Sequence, residues 1–122
     1  MNDLYREEIL DHYRAPHNFG SLSNPTVSWN GENVSCGDKI NMEAIVKDDV
    51  IRDIVFFGES CAISTASGSL LTDFVKGKKV RDVMKLETQH VLDLLRITLT
   101  PTRLKCALLP LEVLQKMIRK VQ

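Results

Sequence analysis

Residues 51–74 read IRDIVFFGESCAISTASGSLLTDF, and the hydrophobic period changes within this stretch. The first part is rich in β-branched and aromatic residues, which favour a strand, and Gly58 ends that run. From Cys61 onward the apolar residues recur every three or four positions, which is typical of one face of a helix. Cys61 is therefore predicted to lie at a strand-to-helix junction, where the positive end of the helix dipole favours a thiolate.

The composition indicates a soluble globular protein with one modest core. We expect a single domain over residues 1–122, with 43% hydrophobic and 26% charged residues. Basic and acidic residues number 16 each, so no net charge attracts nucleic acid or an anionic membrane. The N-terminus is charged from Asp3 onward and no apolar run approaches the roughly 20 residues of a membrane span. Three cysteines in a chain without a leader indicate reduced thiols and a cytoplasmic location.

The remaining pattern predicts an α+β domain, a small three-stranded antiparallel sheet with helices packed on one side. The strands are predicted at 26–30, 39–47 and 50–57, and the helices at 1–14, 62–75, 80–85 and 88–95, followed by a last helix. The second and third strands are separated by two residues, so they must pair antiparallel. Ile40, Met42, Ala44 and Val46 alternate with polar residues, which predicts that one face of the sheet is buried under helices. Pro110 is tolerated in a first helical turn, which predicts that the last helix begins close to Cys106.

Each of the three cysteines is predicted at the end of an element, where folding can bring them together. Cys36 precedes the second strand, Cys61 follows the third, and Cys106 precedes the last helix. Gly37 allows a tight turn, so that the Cys36 thiolate and the Asp38 carboxylate can converge on one point. Three thiolates and a carboxylate suit Zn²⁺, or a [2Fe–2S] cluster with one oxygen ligand. The paired Cys-x-x-Cys pattern of common zinc modules is absent, so residue types alone leave a metal site and ordinary half-buried cysteines as equal alternatives.

Other classes of function fit the residues less well. A thiol enzyme needs a base beside its cysteine, and no histidine adjoins any of the three. His12 and His17 are isolated in the sequence and are interpreted as surface or capping residues. A nucleic-acid module needs a basic face with interleaved aromatic residues, whereas 6% of this chain is aromatic.

The sequence resembles the U-type iron–sulfur scaffold family, which includes IscU, SufU and the N-terminal domain of NifU, over nearly its whole length. Residues 5–20, YREEILDHYRAPHNFG, resemble the opening helix and loop of that family. CGD at 36–38, CAIS at 61–64 and RLKCA at 103–107 resemble its three ligand-bearing segments, in the same order and at similar separations. The resemblance implies an α+β fold in which helices cover one side of a small antiparallel sheet.

The resemblance implies a scaffold rather than an enzyme. Such a protein accepts persulfide sulfur from a cysteine desulfurase, assembles a labile [2Fe–2S] cluster and transfers it to apoproteins. Cys36, Asp38, Cys61 and Cys106 are the implied ligands of the cluster or of Zn²⁺, and the hard Asp38 carboxylate would keep the cluster labile. Cys106 is the implied sulfur acceptor, and Lys105 would help to keep its thiol ionised. The alternatives are a SufU-like zinc protein that relays sulfur as a sulfurtransferase without holding a cluster, and a structural zinc domain.

The chain also departs from both main branches of the family. IscU-type members carry a histidine immediately before the last cysteine. This chain has Lys105 there, as SufU-type members have a lysine. The short separation of Cys61 and Cys106 leaves no room for the insertion of SufU-type chains. LTPTR at 99–103 only partly matches the chaperone-recognition segment of IscU-type members, so an Hsp70-type chaperone is not an expected partner. Ser60 stands before Cys61 where a glycine is usual. The sequence is therefore interpreted as a hybrid or a third branch.

Overall fold

A computed structural model describes residues 3–122, with side chains from residue 6 onward. The elements in this part of the chain are α1 (Asp3–Arg14), β1 (Val27–Asn33), β2 (Asp38–Lys47), β3 (Val50–Phe57), α2 (Ala62–Val75), α3 (Val80–Val83), α4 (Thr88–Leu95) and α5 (Pro101–Arg119). The sheet has the order β1-β2-β3 with both pairs antiparallel, which confirms the predicted fold class. The predicted bounds of β3, α2 and α4 match the observed ones, whereas residues 1 and 2 of the first predicted helix lie outside the described residues.

One face of the sheet is buried under helices, as the alternation in β2 predicts. Ile40, Met42 and Ala44 are at most 1% exposed, and α5 packs against β1 and β2. Val46 is only half-buried, because a register shift between Ile45 and Val46 turns the end of the strand. β1 extends to Asn33, beyond the predicted end, since its last residues continue to pair with the beginning of β2.

α2 lies at the centre of the helical layer and contacts α1, α4, α5 and β3. Gly68 permits a close approach between α2 and β3, because a Cβ at this position would lie 2.8 Å from the ring of Phe56. The helix ends as predicted at Val75, and Lys76 and Gly77 follow it, with Gly77 in the left-handed region at φ +87°. Nearly the whole of α2 is therefore buried between the sheet and the other helices.

The predicted start of the last helix is wrong. α5 begins at Pro101, and the Thr100 side chain caps it by accepting the Arg103 amide. Cys106 is thus the sixth residue of the helix and does not lie at its N-terminus. Pro110 lies inside the helix and is buried, so packing in the core offsets the hydrogen bond that its missing N–H cannot make.

His12 and His17 attach the N-terminal part of the chain to α2. The His17 amide donates to Ser69 Oγ at 2.7 Å, and His12 Nδ1 lies 2.7 Å from the same oxygen. His17 Nδ1 lies 2.5 Å from Asp73 Oδ2, and the two imidazole rings are 4.6 Å apart. Their contacts are with α2 side chains, which explains both histidines without a metal.

The burial of His12 predicts a pH dependence of stability. Desolvation lowers the pKa of His12 and His17 lowers it further, whereas Glu8, Asp73 and Asp11 oppose the shift. The unfolded chain therefore binds this proton more readily than the folded protein, so the contribution of His12 is complete above its ordinary value of 6.5 and is lost as the pH falls. The free energy of unfolding, measured in urea, should fall between pH 7.5 and 5.5. The His12 contribution should stay below about 1 kcal/mol, because the ring is only partly buried.

His12→Gln should reduce this pH dependence relative to the parent protein. An unchanged pH dependence of stability in His12→Gln would show that His12 does not cause it.

Candidate functional site

The tight turn between β1 and β2 places two of the predicted ligands together. Cys36 and Gly37 both donate their backbone N–H groups to the Asn33 carbonyl, at 3.2 and 2.9 Å. Gly37 has φ +72°, a conformation that glycine adopts at little cost, so the chain reverses between Cys36 and Asp38. The predicted convergence of the thiol and the carboxyl group is confirmed.

The third ligand lies at the junction between β3 and α2. Cys61 is the N-cap of α2, and its Sγ accepts the Ser64 amide at 3.4 Å. Gly58 allows the chain to leave β3, since a Cβ there would lie 2.1 Å from the Lys39 carbonyl oxygen. The Lys39 amide donates to the backbone carbonyl of Glu59 at 2.8 Å, and this hydrogen bond holds the junction against the start of β2. The strand-to-helix position predicted for Cys61 is confirmed.

All four predicted ligands come together at this end of the sheet. Cys36 Sγ, an Asp38 carboxylate oxygen and Cys106 Sγ lie within 4.8 Å of one another. The Cys106 thiol donates to Cys36 Sγ at 3.0 Å, and the Cys61 thiol donates to Asp38 Oδ2 at 3.6 Å. The Cys61 amide donates to Asp38 Oδ1 at 2.8 Å. We call these four residues the ligand cluster.

The ligand cluster is graded in exposure. Cys36 is exposed, Cys61 is half-buried, and Cys106 and Asp38 are buried. The cluster can therefore be reached from solvent at the Cys36 turn, while its other side is enclosed by protein.

Burial raises the pKa of the Cys106 thiol well above its usual range, and hydrogen bonds with Cys36, Asp38 and Cys61 raise it further. This shift favours the thiol form of Cys106 over the thiolate. The predicted position of Cys106 near a helix N-terminus, which would favour its thiolate, is wrong, because Cys106 lies inside α5 and is 4% exposed. Lys105 is exposed, and assistance by its ammonium group remains a prediction.

Two residues of the site were not predicted as functional. Asn33 Nδ2 lies 3.5 Å from Cys36 Sγ and donates to it, and Asn33 also supplies the carbonyl that closes the turn. The available signal was the Asn three residues before a Cys-Gly pair, which is typical of a turn. Ser64 contacts Cys61 through its amide and is fully buried.

The donor set suits thiophilic metals. Three sulfur atoms and one carboxylate oxygen can complete a tetrahedral Zn²⁺ site or hold the two iron atoms of a [2Fe–2S] cluster. The carboxylate is the harder ligand, so its bond to iron in a sulfur-rich site is the weakest of the four. Metal binding requires the thiolates, so it must displace the proton of Cys106.

In the described part of the chain, no helix combines the length and apolar character that crossing a bilayer requires.

Comparison with known proteins finds iron–sulfur assembly proteins that are similar to this chain in sequence and fold. The family model for the NifU-like N terminal domain matches residues 4–122. The zinc-dependent sulfurtransferase SufU of Bacillus subtilis is 32% identical, and the match covers 98% of this chain and 92% of the relative. The iron–sulfur cluster assembly scaffold protein IscU of Thermotoga maritima is 31% identical, with 97% and 94% covered. A crystal structure from Fervidobacterium islandicum, described as an iron–sulfur cluster assembly scaffold protein for the SUF system, matches with TM-score 0.82 and 26% identity over 92% of this chain and 94% of that chain.

The two sequence alignments are longer than the chain itself. They span 137 and 134 positions, whereas this chain has 122 residues, so both relatives contain insertions relative to it. The identities to the SufU and IscU relatives are nearly equal, at 32% and 31%. This agrees with a chain that follows neither branch closely.

Proposed function

Because the chain belongs to the NifU-like N-terminal domain family, the family of the U-type iron–sulfur scaffolds, we propose that it is an iron–sulfur cluster assembly scaffold. In this function it accepts persulfide sulfur from a cysteine desulfurase, assembles a labile [2Fe–2S] cluster and transfers it to apoproteins. The convergence of Cys36, Asp38, Cys61 and Cys106 at one end of the sheet is the observation that carries the proposal.

The position of the ligand cluster suits a cargo that enters and leaves. Cys36 lies on an exposed turn whose movement need not disturb the core. Asp38 and Cys61 are held together by the Cys61 amide, so they form the fixed side of the site. Release of the cargo can therefore begin at the exposed Cys36 and at the weaker Asp38 carboxylate.

Sulfur enters by thiol–persulfide exchange. The Cys106 thiolate attacks the outer sulfur of the donor's persulfide, a new S–S bond forms on Cys106, and the donor cysteine leaves as a thiolate. The attack requires the thiolate form of Cys106, which burial of this residue disfavours.

Persulfide should accumulate mainly on Cys106. After incubation of the chain with a cysteine desulfurase and cysteine, mass spectrometry of the peptide containing Cys106 should show the gain of one sulfur atom. Cys106→Ser should lose this product, because serine cannot take up sulfane sulfur. Cys36→Ser is the matched control, since Cys36 Sγ lies 3.0 Å from Cys106 Sγ and is more exposed. Sulfur uptake by Cys106→Ser equal to that of the parent would assign the acceptor role to another cysteine.

A zinc-dependent sulfur relay is the second candidate. It is favoured by the similarity to the Bacillus subtilis SufU, whose name describes a zinc-dependent sulfurtransferase. The same four side chains would hold Zn²⁺, and the protein would then act as a sulfurtransferase rather than as a scaffold alone. The effect of removing the Asp38 carboxylate on the rate of cluster transfer distinguishes a releasable cluster from a permanently bound metal ion.

Removal of the Asp38 carboxylate should slow cluster transfer severalfold. In Asp38→Ala three thiolates remain and the weak oxygen ligand is gone, so a reconstituted cluster should pass more slowly to an apo-ferredoxin. The transfer rate is followed by circular dichroism of the acceptor's cluster. Asp82→Ala, which changes an exposed aspartate of α3 outside the ligand cluster, should transfer the iron–sulfur cluster at the parent rate. Equal rates in the parent and Asp38→Ala would contradict the role of Asp38 and favour a structural zinc site.

A further inference from the structure

α2 contains five buried hydroxyl side chains, and one of them has no hydrogen-bond partner. The five are Ser64, Thr65, Ser67, Ser69 and Thr72. Thr65 pairs with Ser60, Ser69 with the two histidines, and Thr72 with carbonyls of its own helix. Ser67 donates to the Ala107 carbonyl on α5 at 2.6 Å. Ser64 Oγ alone lacks a partner among the buried side-chain polar atoms of the described residues.

A buried hydroxyl without a hydrogen-bond partner is energetically unfavourable. A buried hydroxyl without a partner loses its hydrogen bonds to water and gains none in return, so native structures contain few of them. A serine inside a helix can also donate to the carbonyl four residues earlier, which Thr72 does with Gly68. For Ser64 that carbonyl belongs to Ser60, and it already accepts from Thr65 Oγ1.

Ser64 lies directly behind the ligand cluster. Its amide donates to Cys61 Sγ at 3.4 Å, and bonded geometry then limits its own hydroxyl oxygen to within about 7 Å of that sulfur. Ser64 shares a face of α2 with Ser67, which bonds to α5 at the residue next to Cys106. The hydroxyl is therefore buried close to the N-terminus of α2, on the helix face from which Ser67 bonds to α5.

The hydrogen-bonding capacity of the Cys61 sulfur differs between its two forms. As a thiol it carries a proton that it donates to Asp38 Oδ2, and it accepts the Ser64 amide. A metal-bound thiolate has no proton and accepts further hydrogen bonds. We propose that the Ser64 hydroxyl donates a hydrogen bond to Cys61 Sγ when this sulfur is bound to metal, which makes Ser64 a positioning residue for the cargo. The inference rests on the proposed function, and it applies equally to Zn²⁺ and to an iron–sulfur cluster.

Ser64→Ala and the control Ser67→Ala test this role in the full chain, stripped of metal and titrated with Co²⁺ under anaerobic conditions. Co²⁺ bound by cysteine gives sulfur-to-metal charge-transfer absorption, which reports on the sulfur ligands. Ser64→Ala should bind Co²⁺ about tenfold more weakly, since a hydrogen bond to a charged acceptor is lost. Its absorption band should move to lower energy, because a sulfur without this hydrogen bond donates electrons to the metal more readily. Ser67→Ala should keep the parent band, because Ser67 Oγ bonds to a carbonyl oxygen and not to a sulfur atom.

Thermal unfolding of the metal-free proteins gives the complementary readout. Ser64→Ala should melt at or above the parent temperature, because the substitution removes an unpaired buried hydroxyl. Ser67→Ala should melt lower, because it breaks the bond to Ala107.

The outcomes separate this inference from the proposed function. Parent affinity and an unshifted band in Ser64→Ala would overturn the role of Ser64 alone. A lower melting temperature of metal-free Ser64→Ala would also overturn it, by showing that the hydroxyl already has a partner without metal. The absence of a charge-transfer band in the parent would overturn the proposed ligand set, and the role of Ser64 with it.

Discussion

The hydrogen bond between the Asp38 carboxylate and the Cys61 amide joins the start of β2 to the N-terminus of α2. A carboxylate that is 1% exposed requires such a partner, and the positive end of a helix dipole stabilises its charge further. Cys36 lies two residues before this carboxylate across the Gly37 turn. Cys106 reaches the same point because α5 packs on both α2 and the sheet. The geometry of the ligand cluster thus depends on this one contact.

Most of the interactions that stabilise the fold lie outside the ligand cluster. The core consists of aliphatic and aromatic side chains between the sheet and the helices, with Phe56 packed against Gly68 at its centre. The histidine contacts and the Ser67 bond fasten α1 and α5 to α2 without any cluster residue. A protein built in this way can lose its metal and remain folded, which a scaffold requires.

Local sequence signals were sufficient for the sheet, for α2 and for the position of Cys61. These signals give wrong predictions where tertiary packing determines the local structure. Thr100 and Pro101 carry the signals of a helix start, but Pro110 suggested a later one, because sequence does not show that a buried proline is compensated by its neighbours. The raised pKa of Cys106 comes from burial and from residues distant in the chain, which the residues next to it in the sequence do not show. Only the structure distinguishes Ser64, because the other four buried hydroxyls of α2 have hydrogen-bond partners there and Ser64 has none.

The central claim is that a fold stable without metal carries a releasable iron–sulfur cluster on Cys36, Asp38, Cys61 and Cys106. It is tested most directly by comparing protein purified with and without air for iron, acid-labile sulfide and zinc, with far-ultraviolet circular dichroism before and after chelation. Iron and sulfide should be present in equal amounts under anaerobic conditions and be lost in air, and helical dichroism should be retained after chelation. One zinc ion per chain under both conditions, together with unfolding of the protein when the zinc is removed, would contradict this claim.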